Sequence, residues 1–195
     1  MADKEAKSWG EHIDWRHHYV QSIQIEHNIL GKTGILDFFM GAVRQFVILC
    51  KCQAQPDSID EIQQAEWLTQ MTQMWVVSQQ PGEYNPMHIH TQCQISSVMY
   101  LKVPKMLPSI KEKGHGEETD GSILFTSNAS RDTELSYPQI SFPPQVGDFY
   151  IFGAQQQHAV YPFRCAEGQK DVERRSISFN AIFQSKTDYD NETKK

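Results

Sequence analysis

Apolar residues in the first third of the chain recur at helical spacing. Between Ile35 and Cys50 they stand three or four positions apart, which places them on one stripe of a helix. A second helix is predicted over about residues 59–67, because Ser58 and Glu61 have the spacing of a capping box. A helix with a single apolar stripe buries that stripe against another layer. We therefore expect these helices to pack on the outside of a sheet.

Short segments rich in β-branched and aromatic residues replace the helical pattern from about residue 71 onward. Turn residues separate them, which is typical of a β-barrel or β-sandwich. Residues 18–27 alternate in the same way and predict one further strand. The long polar stretch 104–122 is a candidate lid, and the residues after 184 predict a frayed tail. The later predicted strands are 71–78, 94–103, 121–127, 147–153, 158–163 and 174–183.

Composition excludes several classes of protein. The chain has 195 residues, a net charge of −6 and 39% apolar residues, which fits one folded domain and argues against a broad basic surface for nucleic acid. No apolar run reaches the roughly 18 residues of a membrane helix. The polar first residues do not resemble a secretory signal, and the four cysteines show no disulfide framework. We therefore expect a cytoplasmic protein without a membrane partner, and a nucleic-acid partner is disfavoured. The oligomeric state stays open, with a dimer among the alternatives.

Three histidines are candidates for a metal site. His88 and His90 are two residues apart, so an extended chain places both imidazoles on one side. Imidazole is a good ligand for iron, zinc, copper and nickel, although such a pair alone is weak evidence. His158 lies between two strand-like segments, where it can meet the pair across the mouth of a barrel. Taken alone, His158 would more often be a structural hydrogen-bonding residue.

An arginine is predicted on the inner face of the last strand. Alternation puts Arg174, Ser176, Ser178 and Asn180 on one face of that strand. A guanidinium inside a barrel needs an anion, because an unpaired buried charge is costly. A bound carboxylate would meet this need, with the hydroxyl of Ser176 beside it. A structural ion pair with an Asp or Glu of the chain is the alternative.

The order of these motifs resembles that of the 2-oxoglutarate- and Fe(II)-dependent oxygenases, most closely their small prolyl-hydroxylase-like group. The resemblance is carried by the histidine pair, the strand ending at Tyr100, the segment 147–158 and the pattern Arg174-x-Ser176. It covers about residues 75–183. It implies a mostly β, α+β chain with a double-stranded β-helix (jelly-roll) core over about 71–185, and N-terminal helical support over about 1–70. The expectation is a single domain, 1–195.

The resemblance also implies a function and a set of site residues. It implies hydroxylation of a small molecule or a protein side chain, with Fe(II) as cofactor, 2-oxoglutarate and O₂ as co-substrates, and release of succinate and CO₂. No catalytic residue is expected beyond the metal centre. The implied metal ligands are His88, His90 and His158, and the implied co-substrate residues are Arg174, Ser176, Tyr100 and, more weakly, Asn85.

One position departs from the family pattern, because His90 stands where relatives have a carboxylate ligand. Three alternatives are open. His90 is a true third ligand; or His90 lies outside the ligand set and a water completes the site; or Glu83 supplies the carboxylate. We favour the first, because strand geometry puts His88 and His90 on the same face.

Two competing interpretations remain. The spacing of Gly82, His88 and His90, and of Gly147 and His158, also resembles the two cupin motifs, which would imply a three-histidine metal dioxygenase. That interpretation gives Arg174 and Ser176 no role. A non-enzymatic metal- or ligand-binding β-helix is the other alternative. Trp75 and Phe152 are predicted to be core aromatics, and the histidines predicted to be incidental are His12, His17, His18, His27 and His115.

Overall fold

The fold was analysed in a computed structural model that describes residues 7–8, 21–24, 34–109, 120–126 and 139–194. Three helices are present in this part of the chain: α1 (Ile35–Ala54), α2 (Ile59–Gln64) and α3 (Lys186–Thr193). A single 3₁₀ turn, Pro56–Ser58, precedes α2. The strands are β1 (Lys7–Ser8), β2 (Gln21–Gln24), β3 (Trp67–Gln79), β4 (Asn85–His88), β5 (Ile95–Lys102), β6 (Ile123–Thr126), β7 (Gln139–Phe142), β8 (Phe149–Gly153), β9 (His158–Val160) and β10 (Arg174–Ser185).

The strands form two antiparallel sheets. The major sheet has the order β1-β2-β3-β10-β5-β8, and the minor sheet has the order β4-β9-β6-β7. Strands that are neighbours in a sheet are mostly distant in sequence, as in the pairing of β10 with both β3 and β5. The chain is therefore mostly β with few helices, as the sequence predicts.

Helix α1 covers the outer face of the major sheet, which confirms its predicted position. The apolar stripe of the helix, Phe39, Val43 and Val47, is buried against side chains of β3, β5 and β10. The ring of Phe39 lies 4.9 Å from that of Phe179, centroid to centroid. Because α1 covers one face of β10, the other face is left to line the space between the two sheets.

Several local predictions were wrong or only partly right. Ser58 stands at the N-cap of α2, but its side chain makes no capping hydrogen bond, so the capping box does not form. Helix α2 ends at Gln64, and Trp67 already begins β3. The predicted frayed tail instead forms α3, whose first turn is capped by the Ser185 hydroxyl accepting from the Asp188 amide at 3.1 Å. An apolar stripe is missing from this helix, so hydrophobic periodicity could not predict it.

Other expectations fall partly or wholly outside the described residues. Of the strand predicted over 18–27, residues 21–24 are described, and they form β2. Residues 110–119 of the candidate lid lie outside the described part, as do the five histidines predicted to be incidental. Within the described residues, no helix has both the length and the apolar character needed to cross a membrane.

Candidate functional site

Three histidines meet where β4 and β9 pair. His88 of β4 stands directly opposite His158 of β9, and their ring centroids are 4.2 Å apart. His90 follows the end of β4, where its backbone amide donates to the carbonyl of Ala154 at 2.9 Å. Its ring lies 5.3 Å from that of His88 and 5.2 Å from that of His158. One ring nitrogen from each histidine lies within 4.8 Å of the others, so the group can surround one metal ion.

Backbone hydrogen bonds fix the orientation of two of these rings. The Nδ1 atom of His88 lies 2.7 Å from the carbonyl oxygen of Pro86, and that of His158 lies 2.9 Å from the carbonyl oxygen of Gln156. A carbonyl only accepts, so each Nδ1 carries the proton and the neutral ring has its lone pair on Nε2. This is the tautomer that a metal site with Nε2 ligands requires.

Burial keeps His158 neutral. Burial, and secondarily the neighbouring His88, lowers the pKa of His158 to about 4, although its bond to the Gln156 carbonyl acts in the opposite direction. A metal ligand must be the neutral imidazole, so a low pKa makes His158 available to a cation at neutral pH.

Aromatic side chains surround the histidines. The ring of Phe152 lies 4.7 Å from that of His158, and the ring of Trp75 lies 5.9 Å from that of His90. Both aromatic residues line a cavity between the two sheets, which occupies about 620 Å³ when its open mouth is included. The prediction that they belong only to the core was therefore incomplete. The pattern of β3 placed Trp75 inward, but only the pairing of the sheets brought it beside His90.

Arg174 lies in the same cavity and is buried, with 2% of its surface exposed. Its guanidinium donates to the carbonyl oxygen of Gly121 and to Oε1 of Gln79. Within the described residues, no carboxylate forms an ion pair with it; the salt bridge nearby belongs to Arg175 and Glu173 on the opposite face of β10. The structural ion pair considered as the alternative role of Arg174 is therefore absent from the described residues. Burial lowers the pKa of Arg174, yet a guanidinium stays protonated in proteins.

Two further predicted residues lie beside Arg174. Ser176 stands opposite Tyr100 in the pairing of β10 with β5, and both side chains are buried. The Tyr100 hydroxyl has no hydrogen-bond partner among the described residues. Burial raises the pKa of Tyr100 to about 12, with Arg174 acting in the opposite direction, so the phenol keeps its proton and can donate it.

All seven residues predicted for the site line this one cavity. Asn85 is among them, and its buried Oδ1 has no hydrogen-bond partner in the described part of the chain. Glu83 is not part of the histidine cluster: its carboxylate accepts from the backbone amide of Gln80 at 2.7 Å, within the turn that precedes β4. This contact disfavours Glu83 as the source of a carboxylate ligand.

The sequence did not reveal Gln79 and Gly121, which hold Arg174. Gly121 has a φ of 72°, and a Cβ atom there would lie 2.7 Å from Sδ of Met106 and 3.4 Å from Nη1 of Arg174. Glycine is therefore needed for the backbone conformation, whereas rotation of the flexible Met106 side chain would make room for a Cβ atom. Gln79 continues the inward alternation of β3, which is the one sequence signal that could have identified it.

Comparison with known proteins identifies the family. The family model described as "Putative 2OG-Fe(II) oxygenase" matches residues 73–180, more than half of the chain. A search of curated proteins found no match.

Several solved structures match this chain at low sequence identity. A Pseudomonas putida prolyl-4-hydroxylase is 16% identical, with a TM-score of 0.49 over 92% of this chain and 79% of its own. The viral collagen prolyl hydroxylase of Paramecium Bursaria Chlorella virus-1, solved as a 2OG complex, is 14% identical, with a TM-score of 0.44 over 86% of this chain and 81% of its own. For an oxidoreductase of the 2OG-Fe(II) oxygenase family from Burkholderia pseudomallei, the identity is 15% and the TM-score 0.43, over 61% of this chain. The chain spans only 46% of the length of that last protein.

The family match includes the three histidines and Arg174. Its members are oxidoreductases that use Fe(II), 2-oxoglutarate and O₂. The chain belongs to the 2OG-Fe(II) oxygenase family.

Proposed function

We propose that this chain is an Fe(II)- and 2-oxoglutarate-dependent dioxygenase that hydroxylates a small molecule or a protein side chain and releases succinate and CO₂. We further propose that residues 1–195 form one domain around a double-stranded β-helix. The strand orders β3-β10-β5-β8 and β4-β9-β6-β7, with a lined cavity between the sheets, support this architecture.

The histidine cluster fits Fe(II). His88, His90 and His158 would hold the ion, and the bound iron would supply activation of O₂ with 2-oxoglutarate as the reductant. Imidazole suits ferrous iron, and the orientation of His88 and His158 needs no rearrangement of their backbone contacts. Three neutral ligands leave the full charge of the cation in place, which favours an anionic co-substrate over a neutral one.

The buried, carboxylate-free guanidinium of Arg174 is the observation that carries the proposal. A charge in this position is costly unless an anion joins it, and none of the described residues supplies one. The distal carboxylate of 2-oxoglutarate would fill this need, because a guanidinium fork matches a carboxylate with two hydrogen bonds. Tyr100 and Ser176 would add hydroxyl donors on the same side.

The remaining walls of the cavity are apolar. Between the polar side chains, its lining is aliphatic and aromatic, which lowers the local dielectric and strengthens the attraction between Arg174 and a carboxylate. The apolar lining residues are Trp75, Val77, Val98, Ile123, Phe152 and Val160.

The test follows metal, co-substrate and product separately. Purified protein receives Fe(II) and 2-oxoglutarate without oxygen, and the visible metal-to-ligand charge-transfer band is recorded; air is then admitted and succinate is measured. We expect a band and succinate from the wild type, and neither from His158→Ala. The matched control is Gln157→Ala, which changes an exposed neighbouring side chain. Absence of both band and succinate in the iron-loaded wild type would refute the proposal.

The same experiment separates the competing functions. Iron binding without any response to 2-oxoglutarate would indicate a cupin-type three-histidine dioxygenase. Absence of iron binding would indicate a non-enzymatic ligand-binding protein. The cytoplasmic location, the disfavoured nucleic-acid partner and the oligomeric state stay predictions; all four cysteines are free thiols, which agrees with a reducing compartment.

A further inference from the structure

Gln79 is a buried neighbour of Arg174 in the cavity. It is the last residue of β3 and stands opposite Arg174 in the pairing of β3 with β10. Its side chain lines the cavity and is 2% exposed. The guanidinium of Arg174 donates to Oε1 of Gln79, and because a donor needs an acceptor, this contact fixes which end of the amide faces the arginine.

The other end of the same amide has no partner. Nε2 of Gln79 is buried, and no group in the described part of the chain accepts from it. Leaving a buried donor unsatisfied is destabilising, so its persistence points to a ligand that supplies the acceptor. Arg174, also nine-tenths or more buried and also short of an anion, lies beside it. Nε2 of Gln79 needs an acceptor and Arg174 needs an anion, and a single carboxylate can meet both needs.

The neutrality of Gln79 matters as much as its hydrogen bonds. Both acceptors that hold Arg174, the Gln79 amide and the Gly121 carbonyl, are uncharged. A glutamate of the same length at position 79 could hold the guanidinium equally well, but it would neutralise the charge and repel a second carboxylate. An amide holds the arginine in place and leaves its charge for a ligand.

We propose that Gln79 is a specificity-determining residue of the co-substrate site: its oxygen orients Arg174, and its Nε2 donates to the distal carboxylate of a dicarboxylic 2-oxo acid. This inference rests on the proposed function. It assigns to Gln79 the discrimination between 2-oxoglutarate and 2-oxo acids of equal length that end in a methyl group.

The test measures affinities rather than turnover. Protein loaded with Mn(II) in place of Fe(II) is titrated by calorimetry with 2-oxoglutarate and with 2-oxopentanoate, which has a methyl group in place of the distal carboxylate. Gln79→Glu is expected to lower the affinity for 2-oxoglutarate by about tenfold or more, which is the loss expected when a charge-assisted hydrogen bond is replaced by repulsion. Its affinity for 2-oxopentanoate should stay within about twofold of wild type, since that ligand makes none of these contacts.

The matched control is Gln73→Glu. Gln73 lies on the same face of β3 and accepts a hydrogen bond from the Asn180 amide at 3.4 Å, but it does not line the cavity. The same substitution there should leave the ratio of the two affinities unchanged. A ratio lowered equally in both variants would show a general effect of charge and would overturn the proposal.

A purely structural role for Gln79 predicts a different result. If Gln79 acts only through Arg174, Gln79→Met should lower the affinity ratio in the wild-type protein but not further in Arg174→Gln, whereas a direct bond from Nε2 to the ligand predicts a lower ratio in both backgrounds. If Gln79→Glu does not fold, Gln79→Met provides the test, because it keeps the length and removes both amide atoms. An unchanged ratio in whichever variant folds overturns the proposal.

Failure of the proposed function would be visible separately. If the metal-loaded wild type binds no 2-oxoglutarate, the proposed function fails, and glutarate is then added to metal-free protein in a thermal-shift assay. Stabilisation of the wild type by glutarate, lost in Gln79→Glu and kept in Gln73→Glu, would support the role of Gln79 in carboxylate binding. No stabilisation of the wild type would overturn that role as well.

Discussion

Arg174 and Arg175 are neighbours on β10 that face opposite ways, which allows one substitution to be compared at two adjacent positions. Arg174 is buried in the cavity, with two neutral acceptors. The side chain of Arg175 is 38% exposed and is paired with Glu173, with Nε 3.0 Å from Oε1. We consider the substitution of each arginine by glutamine. Both variants lose one positive charge from the same strand, so a difference between their affinities for 2-oxoglutarate reports the effect of losing the charge inside the cavity.

The structure sets the expected magnitudes. Arg174→Gln removes two charge-assisted hydrogen bonds to a bound carboxylate, each of about 1.5–3 kcal/mol, so the affinity for 2-oxoglutarate should fall about a hundredfold or more. Without ligand, relief from an uncompensated buried charge opposes the loss of hydrogen bonds to Gln79 and Gly121, so stability should change little. Arg175→Gln breaks a partly exposed ion pair of about 0.5–1 kcal/mol and should leave the affinity unchanged.

The assay combines binding with unfolding. Each protein is titrated with 2-oxoglutarate in the absence of oxygen, and unfolding is followed by circular dichroism with and without the ligand. All proteins receive the same ligand concentration, about 100 times the dissociation constant of the wild type. A protein that binds with wild-type affinity then gains about 2.7 kcal/mol of stability. The wild type and Arg175→Gln should show this gain, and Arg174→Gln should not.

Two outcomes would refute the reasoning. If Arg174→Gln binds 2-oxoglutarate within about threefold of wild type, well under the loss expected for one charge-assisted bond, the guanidinium is not the anchor. If Arg175→Gln loses affinity to the same extent, the effect comes from the charge of the strand rather than from the cavity. Metal content must stay equal in all three proteins, because loss of iron would weaken binding for another reason.

Four further predictions follow from the structure. His90→Asp should keep its iron, as measured by metal analysis, but bind 2-oxoglutarate more weakly than wild type, because the added negative charge repels the dianion. Gly121→Ala should lose about 1–3 kcal/mol of stability in denaturant titrations, because alanine is strained at a φ of 72°, and should weaken 2-oxoglutarate binding because relief of that strain moves the Gly121 carbonyl that accepts from Arg174. Phe39→Ala should destabilise by about 3–5 kcal/mol and Phe38→Ala by far less, because the first ring is fully buried and the second is 57% exposed. Hydrogen bonds from its neighbours keep the pKa of Glu173 below its ordinary value although burial acts in the opposite direction, so Glu173→Gln should be less stable than wild type at pH 7, and that difference should vanish as the pH falls through the lowered pKa.

Local pattern was sufficient for the parts of the fold that depend on neighbours in the chain. The stripe of α1 predicted its buried face, and the alternation of β10 predicted which side chains point inward. The side-chain period of a helix or a strand is sufficient to determine which residues share a face. Pattern failed for α3, which is polar throughout, and for β7, a four-residue strand bounded by prolines that no prediction included. A strand as short as β7 is formed by pairing with β6, which is not visible in its own sequence.

By itself, the sequence determined the residue types of the site and their order: a histidine pair, a distant third histidine, and an arginine two residues before a serine. It also determined which of them lie on one face of a strand, because side chains alternate there by geometry. Only the tertiary structure decided that they meet. His88 and His158 are separated by 70 positions in the sequence and become direct cross-strand neighbours through the pairing of β4 with β9.

The same holds for the contacts of Arg174. Gln79 and Gly121 stand far from it in sequence and carry no charge that would mark them as partners. Alternation indicates that the arginine points inward, but whether a buried charge meets a carboxylate or a neutral acceptor depends on which strands and loops surround it. That is a property of the assembled sheets, and it is what leaves this guanidinium in need of an anion.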